Sequence, residues 1–187
     1  NEELNQDQFR RAIQDGTLLD SLQRYKVKAG DVFFIEAGTI HSIGKGVLLA
    51  EIEQNSTTAY RIYDHGRIDE DGQPRPLRID RAIDVAITVP VDNPHGPLEP
   101  AREVESRRET VLGECDYFRS VLMETCAPTA FEVGRESFAS VIMLDGKAVF
   151  MTNEETVTAA KGESLFISAG TGKVRVTGKG SFIVTTI

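Results

Sequence analysis

Gly30-Asp31-Val32-Phe33-Phe34-Ile35-Glu36-Ala37-Gly38-Thr39 lines up without gaps on Gly162-Glu163-Ser164-Leu165-Phe166-Ile167-Ser168-Ala169-Gly170-Thr171. Six of the ten positions are identical, and Asp31 against Glu163 keeps the charge. Each copy reads as a glycine–acid turn, a short apolar strand and a glycine corner that redirects the chain. One β element used twice predicts a mainly β chain built from two units. The copies diverge at the second residue after the threonine, which is His41 in the first and Lys173 in the second.

Around the first copy the pattern is short apolar runs broken by glycine. Residues 32–35, 47–52 and 59–63 are strand candidates, separated by Gly38, Gly44 and Gly46. Upstream, Asn5 with Gln8 has capping-box spacing, Leu4 with Phe9 has staple spacing, and Gly16 ends the predicted helix. Thr17 and Asp20 repeat the capping-box spacing before Leu18, Leu19 and Leu22. Downstream, Ile79, Ala82, Ile83 and Ala86 recur at helical spacing, which predicts a helix over 78–87.

Four of the seven prolines, Pro90, Pro94, Pro97 and Pro100, then fall within a dozen residues. Proline at that density stops both helix and central strand, so 90–100 reads as a linker between a unit at 1–89 and a unit at 101–187. In the second unit, 117–125, 138–144, 148–151, 164–167, 173–176 and 181–186 read as strands of a sandwich or barrel. Asp145-Gly146, Lys161-Gly162 and Lys179-Gly180 read as the tight turns between them.

Composition narrows the function classes. The net charge of −8 and the lack of a basic run argue against nucleic acid or an anionic membrane surface as partner. No apolar stretch approaches the ~20 residues of a spanning helix. The first residues show no secretory signal, which points to the cytoplasm, and the missing initiator Met suggests a processed product or a piece of something longer. Cys115 and Cys126 are expected as buried free thiols rather than a disulfide.

Three side chains could carry chemistry. His41 follows the first glycine corner, where neutral imidazole serves either as a metal ligand or as a partly buried ring bonded to backbone. His65 and His95 show no ligand spacing to it, whereas a zinc site needs at least three protein ligands. Glu51 and Arg61 lie on neighbouring strand candidates. A carboxylate and an arginine in one cavity could move a proton and stabilise an oxyanion; the alternative is a surface ion pair. Tyr60, Tyr63 and Asp64 read as sheet packing and a turn. No phosphate-cradling glycine loop and no Gly-x-Ser-x-Gly elbow is present.

Residues 27–46, ending Gly38-Thr39-Ile40-His41-Ser42-Ile43-Gly44-Lys45-Gly46, resemble the second cupin motif of type I phosphomannose isomerases, GTxHAIGxG. Residues 51–64 resemble that family's EIQQNSDTTYRVYD segment, and 76–85 its RELHIEKALDV helix. Ser42, Glu53 and Thr57 are small departures from the pattern. The resemblance is to the short bacterial form of the enzyme and implies cupin-like jelly rolls: a partial catalytic cupin barrel, then a second cupin-like β domain. It implies a zinc-dependent aldose–ketose isomerase interconverting mannose 6-phosphate and fructose 6-phosphate through a cis-enediol. By motif position His41 is the implied metal ligand, Arg61 the active-site arginine and Glu51 the active-site glutamate.

The family's other metal ligands, a Gln-x-His pair and a glutamate, lie upstream of the segment matching Asn1. The expectation is therefore an inactive C-terminal fragment with one unpaired β edge, associating with itself or with a retained N-terminal piece. In the second unit Lys173 replaces the histidine, and an ammonium has no lone pair for a cation, so no catalytic metal is expected there. The alternative is a non-catalytic cupin-like sugar-binding or regulatory module.

Overall fold

The computed structural model describes residues 3–90 and 95–187. It divides into two compact units, Asn1–Asp31 with Ile35–Pro94, and Val32–Phe34 with His95–Ile187.

The second unit is antiparallel β throughout: β1 (Arg102–Val104), β2 (Arg107–Cys115), β3 (Phe118–Thr125), β4 (Thr129–Val133), β5 (Ala139–Met151), β6 (Thr156–Ala160), β7 (Ser164–Ile167) and β8 (Gly172–Thr186). The order is β1-β2-β3-β8-β5-β6, with β4 also on β8 and β7 also on β5. Two long strands make the roll. The first half of β8 pairs with β4 and the second half with β3, while β5 pairs with β8 and carries β7 and then β6 on its other edge.

The two expected turns at 145–146 and 179–180 are bends within β5 and β8, not chain reversals. Gly146 faces Gly180 and Lys147 faces Lys179 across the ladder, and the register slips between Met143 and Asp145. A Cβ on Gly146 would meet the Lys179 carbonyl oxygen at 2.2 Å, and one on Gly180 would meet the Asp145 carbonyl oxygen at 2.6 Å. Glycine is needed here because two bent backbones touch. The slip also inverts the alternation along β5: Ala139, Val141 and Met143 are buried before it, Ala148 and Phe150 after it. Both sets therefore reach one core, with Phe131, Val133, Val174, Val176, Phe182 and Val184. Phe150 and Phe182 meet edge to face at 5.3 Å.

One buried charge network interrupts this apolar interior. Arg107 Nε donates to Glu109 Oε1 at 2.8 Å, and its Nη1 donates to Thr129 Oγ1 at 3.1 Å and to the Ala130 carbonyl at 2.6 Å. Both charges are nearly buried, and each satisfies the other. Cys115 and Cys126 are free as expected, but they are exposed, each beside a turn at a strand end.

The first unit holds α1 (Gln6–Gln14), α2 (Leu18–Ser21) and α3 (Ile79–Val85). The Asn5–Gln8 capping box forms. Gly16 at φ +72° closes α1, with the Gly16 amide donating to Ile13 O and the Thr17 amide to Ala12 O. The second expected box does not form: Thr17, at φ −95° and ψ 3°, makes no side-chain cap. Phe9, Leu18 and Ile83 are buried together, with Leu4, Ile13, Ile40, Ile62, Ile79 and Ala86 packed on them.

Residues 32–35, 47–52 and 59–63 form no named strand. A strand exists only with a hydrogen-bonded neighbour, and among the described residues these runs have one isolated bridge, Phe33 with His95. Apart from Ile62 on the helix cluster, many of their apolar side chains are open to solvent, Leu48 at 99% exposure, with Phe34, Ile35, Val47 and Leu49 also exposed. Within the proline-rich segment, residues 91–94 lie outside the described residues.

Candidate functional site

The glycine corner that places His41 is built by its own sequence. Gly38 has φ +93°, the Thr39 amide donates to the Glu36 carbonyl at 3.0 Å, and the Ile87 amide donates to the Gly38 carbonyl at 2.8 Å. Beyond it, the exposed His41 ring sets Nδ1 2.9 Å from the Thr39 carbonyl oxygen. That oxygen can only accept, so Nδ1 carries the proton, and the tautomer this selects keeps its lone pair on Nε2. A metal-binding imidazole held by a backbone carbonyl has this tautomer. A ring bonded to backbone and a ring able to ligate are therefore compatible in one geometry, Nδ1 making the bond and Nε2 keeping its lone pair.

Arg61 is half-exposed, and its Nε lies 3.6 Å from Asp64 Oδ1. Asp64 in turn binds Arg75, which donates from Nε to Oδ2 at 2.6 Å and from Nη2 to Oδ1. The Arg75 hydrogen bond, aided by the charges of Arg75, Arg61 and Arg67, holds the Asp64 carboxyl below its ordinary value of 3.8, against the opposing effect of desolvation. The hydrogen bond to Asp64 raises the Arg75 guanidinium correspondingly. The Arg78 amide donates to the Arg61 carbonyl at 2.8 Å, fixing the backbone at the same point.

In the sequence Asp64 reads only as a turn residue, and nothing marks Arg75. The Asp64-His65-Gly66-Arg67 turn is the available signal, because the Arg67 amide closes it onto the Asp64 carbonyl at 2.9 Å. A second contact crosses the same region: Ser42 Oγ lies 3.2 Å from His65 Nε2, and His65 stands edge-on to Tyr63 at 4.7 Å.

His41 is bonded to Thr39 and Arg61 is ion-paired with Asp64, not with each other, and Glu51 is exposed in a segment outside any strand or helix. Among the described residues no group of three or more His, Cys, Asp or Glu side chains could hold a metal ion. His41 fits a metal as one ligand, and the residues present do not complete a site. The apolar cavity of about 120 Å³ beside Phe9 and Leu18 is lined by Thr39 and Ile40 but not by His41, Glu51 or Arg61. No helix among the described residues is long and apolar enough to cross a membrane.

Residues 108–187 match the model of the mannose-6-phosphate isomerase cupin domain. Mannose-6-phosphate isomerase ManA of Bacillus subtilis is 34% identical over 92% of this chain and 54% of its own length. The mannose-6-phosphate isomerase of Streptococcus mutans is 30% identical over 87% of this chain and 50% of its own. The chain thus spans about half the length of the curated relatives it matches. The crystal structure of mannose 6-phosphate isomerase from Bacillus subtilis covers the whole chain at a TM-score of 0.88 and 24% identity, using 58% of that protein, and shares its fold. Along 92% of its length, then, the chain is a relative of the C-terminal region of the mannose-6-phosphate isomerases.

Proposed function

We propose that this chain supplies the C-terminal region of a zinc-dependent, cytoplasmic isomerase that interconverts mannose 6-phosphate and fructose 6-phosphate, with His41, Arg61 and Glu51 facing one cavity. The observation that carries the reading is the His41 tautomer, with Nδ1 held by the Thr39 carbonyl and Nε2 free to bind. One packing fact supports it: Ile40 and Ile62, the chain neighbours of His41 and Arg61, both pack on the same helix cluster.

Zinc, held by a complete ligand set, supplies a Lewis acid for sugar oxygens. This chain's residues do the rest. Arg61, braced by Asp64, donates to the oxygen on which negative charge grows, and Glu51 moves the proton between the two sugar carbons or orients a ligand. The described residues do not complete a zinc site around His41, and the exposed apolar side chains over 43–49 are the surface that further residues, or a second copy, would cover.

A coupled assay for fructose 6-phosphate, beside a zinc determination on the same sample, tests this on the 187-residue chain alone. The expected result is no turnover and zinc well below one equivalent. Turnover with one equivalent bound would show that the chain finds its ligands internally or from another copy.

A further inference from the structure

The second copy of the repeat is followed by Lys173 where the first is followed by His41, and Lys173 has a companion. On β8, Lys173 and Arg175 are exposed while Val174 and Val176 are buried, so both cations stand on the outer face. Residues two apart on a strand are separated by about 6.7 Å, which lets an ammonium and a guanidinium converge on a single tetrahedral oxyanion. Neither side chain makes a hydrogen bond or ion pair among the described residues, although Glu132 lies opposite Lys173 in the ladder. Two like charges therefore stand side by side on the outer face of a chain whose net charge is −8, with neither held in an ion pair.

These cations line a recess of about 300 Å³, walled also by Thr129, Thr177 and Met151, with Glu105 at its rim. Part of the wall is fixed by the buried Arg107, which donates to both Thr129 Oγ1 and the Ala130 carbonyl. Glu105 lies 3.9 Å from Arg107, which partly offsets its repulsion of an anion. The volume is at the lower end of small-ligand sites. We infer that this recess binds a phosphate monoester, its phosphoryl group bridged by Lys173 and Arg175 and its carbon skeleton lying toward Met151. The inference is independent of the isomerase reading, because the recess lies wholly within the second unit and shares no residue with His41, Glu51 or Arg61.

Amide NMR of the full chain, titrated at constant ionic strength with inorganic phosphate, then mannose 6-phosphate, then mannose, tests it. Saturable shifts at Ala130 and over 173–177 are expected with both phosphates and not with mannose. The Lys173→Ala/Arg175→Ala variant, whose side chains are exposed, should weaken binding at least about tenfold, equivalent to about 1.4 kcal/mol. Glu105→Gln should tighten it. Lys147→Ala/Lys179→Ala, which removes two cations that face each other across β5 and β8 away from the recess, should leave it unchanged. Shifts that never saturate, that survive the Lys173/Arg175 variant, or that weaken equally in the Lys147/Lys179 variant would overturn the site.

Discussion

The two copies of the ten-residue repeat make the same local structure in different surroundings. Gly30 and Gly162 have φ of +92° and +86°, and Gly38 and Gly170 have +93° and +79°. Asp31 Oδ2 accepts from the Lys28 amide at 2.9 Å, and Glu163 Oε2 accepts from the Ala160 amide at 2.7 Å, three residues back in both. Thr39 and Thr171 each donate through the amide to the carbonyl three residues earlier. The strand between turn and corner differs. The second copy is β7, laddered on β5 over four residue pairs, whereas the strand segment of the first makes only an isolated bridge, Phe33 with His95, among the described residues. Turn and corner are local properties of the sequence, and the ladder belongs to whatever lies alongside.

Removing what closes the second unit should break the comparison most strongly. Arg107→Ala leaves buried Glu109 with only the more exposed Arg102 and frees Thr129 and the Ala130 carbonyl, at a cost of roughly 3 kcal/mol, the lower end for breaking a buried pair. Hydrogen exchange at Val174 and Val176 should accelerate to match. Unchanged exchange there would mean the ion pair contributes nothing to the roll.

The matched corners give a sharper test. A Cβ on Gly38 would meet the Val85 carbonyl oxygen at 2.6 Å, whereas one on Gly170 finds only Arg135 Cγ, at 3.6 Å. Alanine at either site incurs the left-handed penalty of about 1–2 kcal/mol. Only Gly38→Ala should exceed it and disturb the Gly38–Ile87 bond; urea unfolding with amide shifts at Ile87 reports both. A smaller effect follows from the acids. Asp31→Ala and Glu163→Ala should each cost about 1 kcal/mol, alike despite the different ladders. A large inequality in denaturant midpoints would show that the ladder, and not the turn, sets the value.

The smallest effect is acid titration of the Asp64 clamp, which has no counterpart in the second copy. Its folded carboxyl lies below the ordinary value, so the stabilisation is complete above about pH 4 and lost as pH falls through the depressed value. Asp64→Asn should flatten that region of the stability profile, and an unaltered profile would mean the clamp contributes no stability.

Legibility in the sequence follows the same division. The Asn5 cap, the Gly16 stop and the repeated turns depend on neighbours within a few residues, and pattern alone locates them, whereas the same apolar run is a strand only in the second copy, where β5 lies alongside. The bends at Gly146 and Gly180 read as hairpin turns because close approach of two strands and reversal of one both demand glycine. β2 is hidden because Arg107 and Glu109 look like surface residues, and their burial rests on partners distant in the sequence as well as on each other, Thr129 and Ala130 for Arg107 and Arg102 for Glu109. The candidate site divides likewise. His41 is visible from its motif, but the partners that brace Arg61 are not, since Asp64 and Arg75 meet across an eleven-residue excursion.

The most direct test of the proposed isomerase role is to join this chain to the N-terminal region of the Bacillus subtilis ManA that it does not match, and to assay mannose 6-phosphate isomerisation with zinc content. Turnover with one zinc is the predicted result. His41→Ala should lose both, and Arg61→Ala should keep the zinc while slowing turnover by roughly 10²–10³-fold. A folded fusion without turnover, or a His41→Ala variant that retains both zinc and activity, would contradict that role.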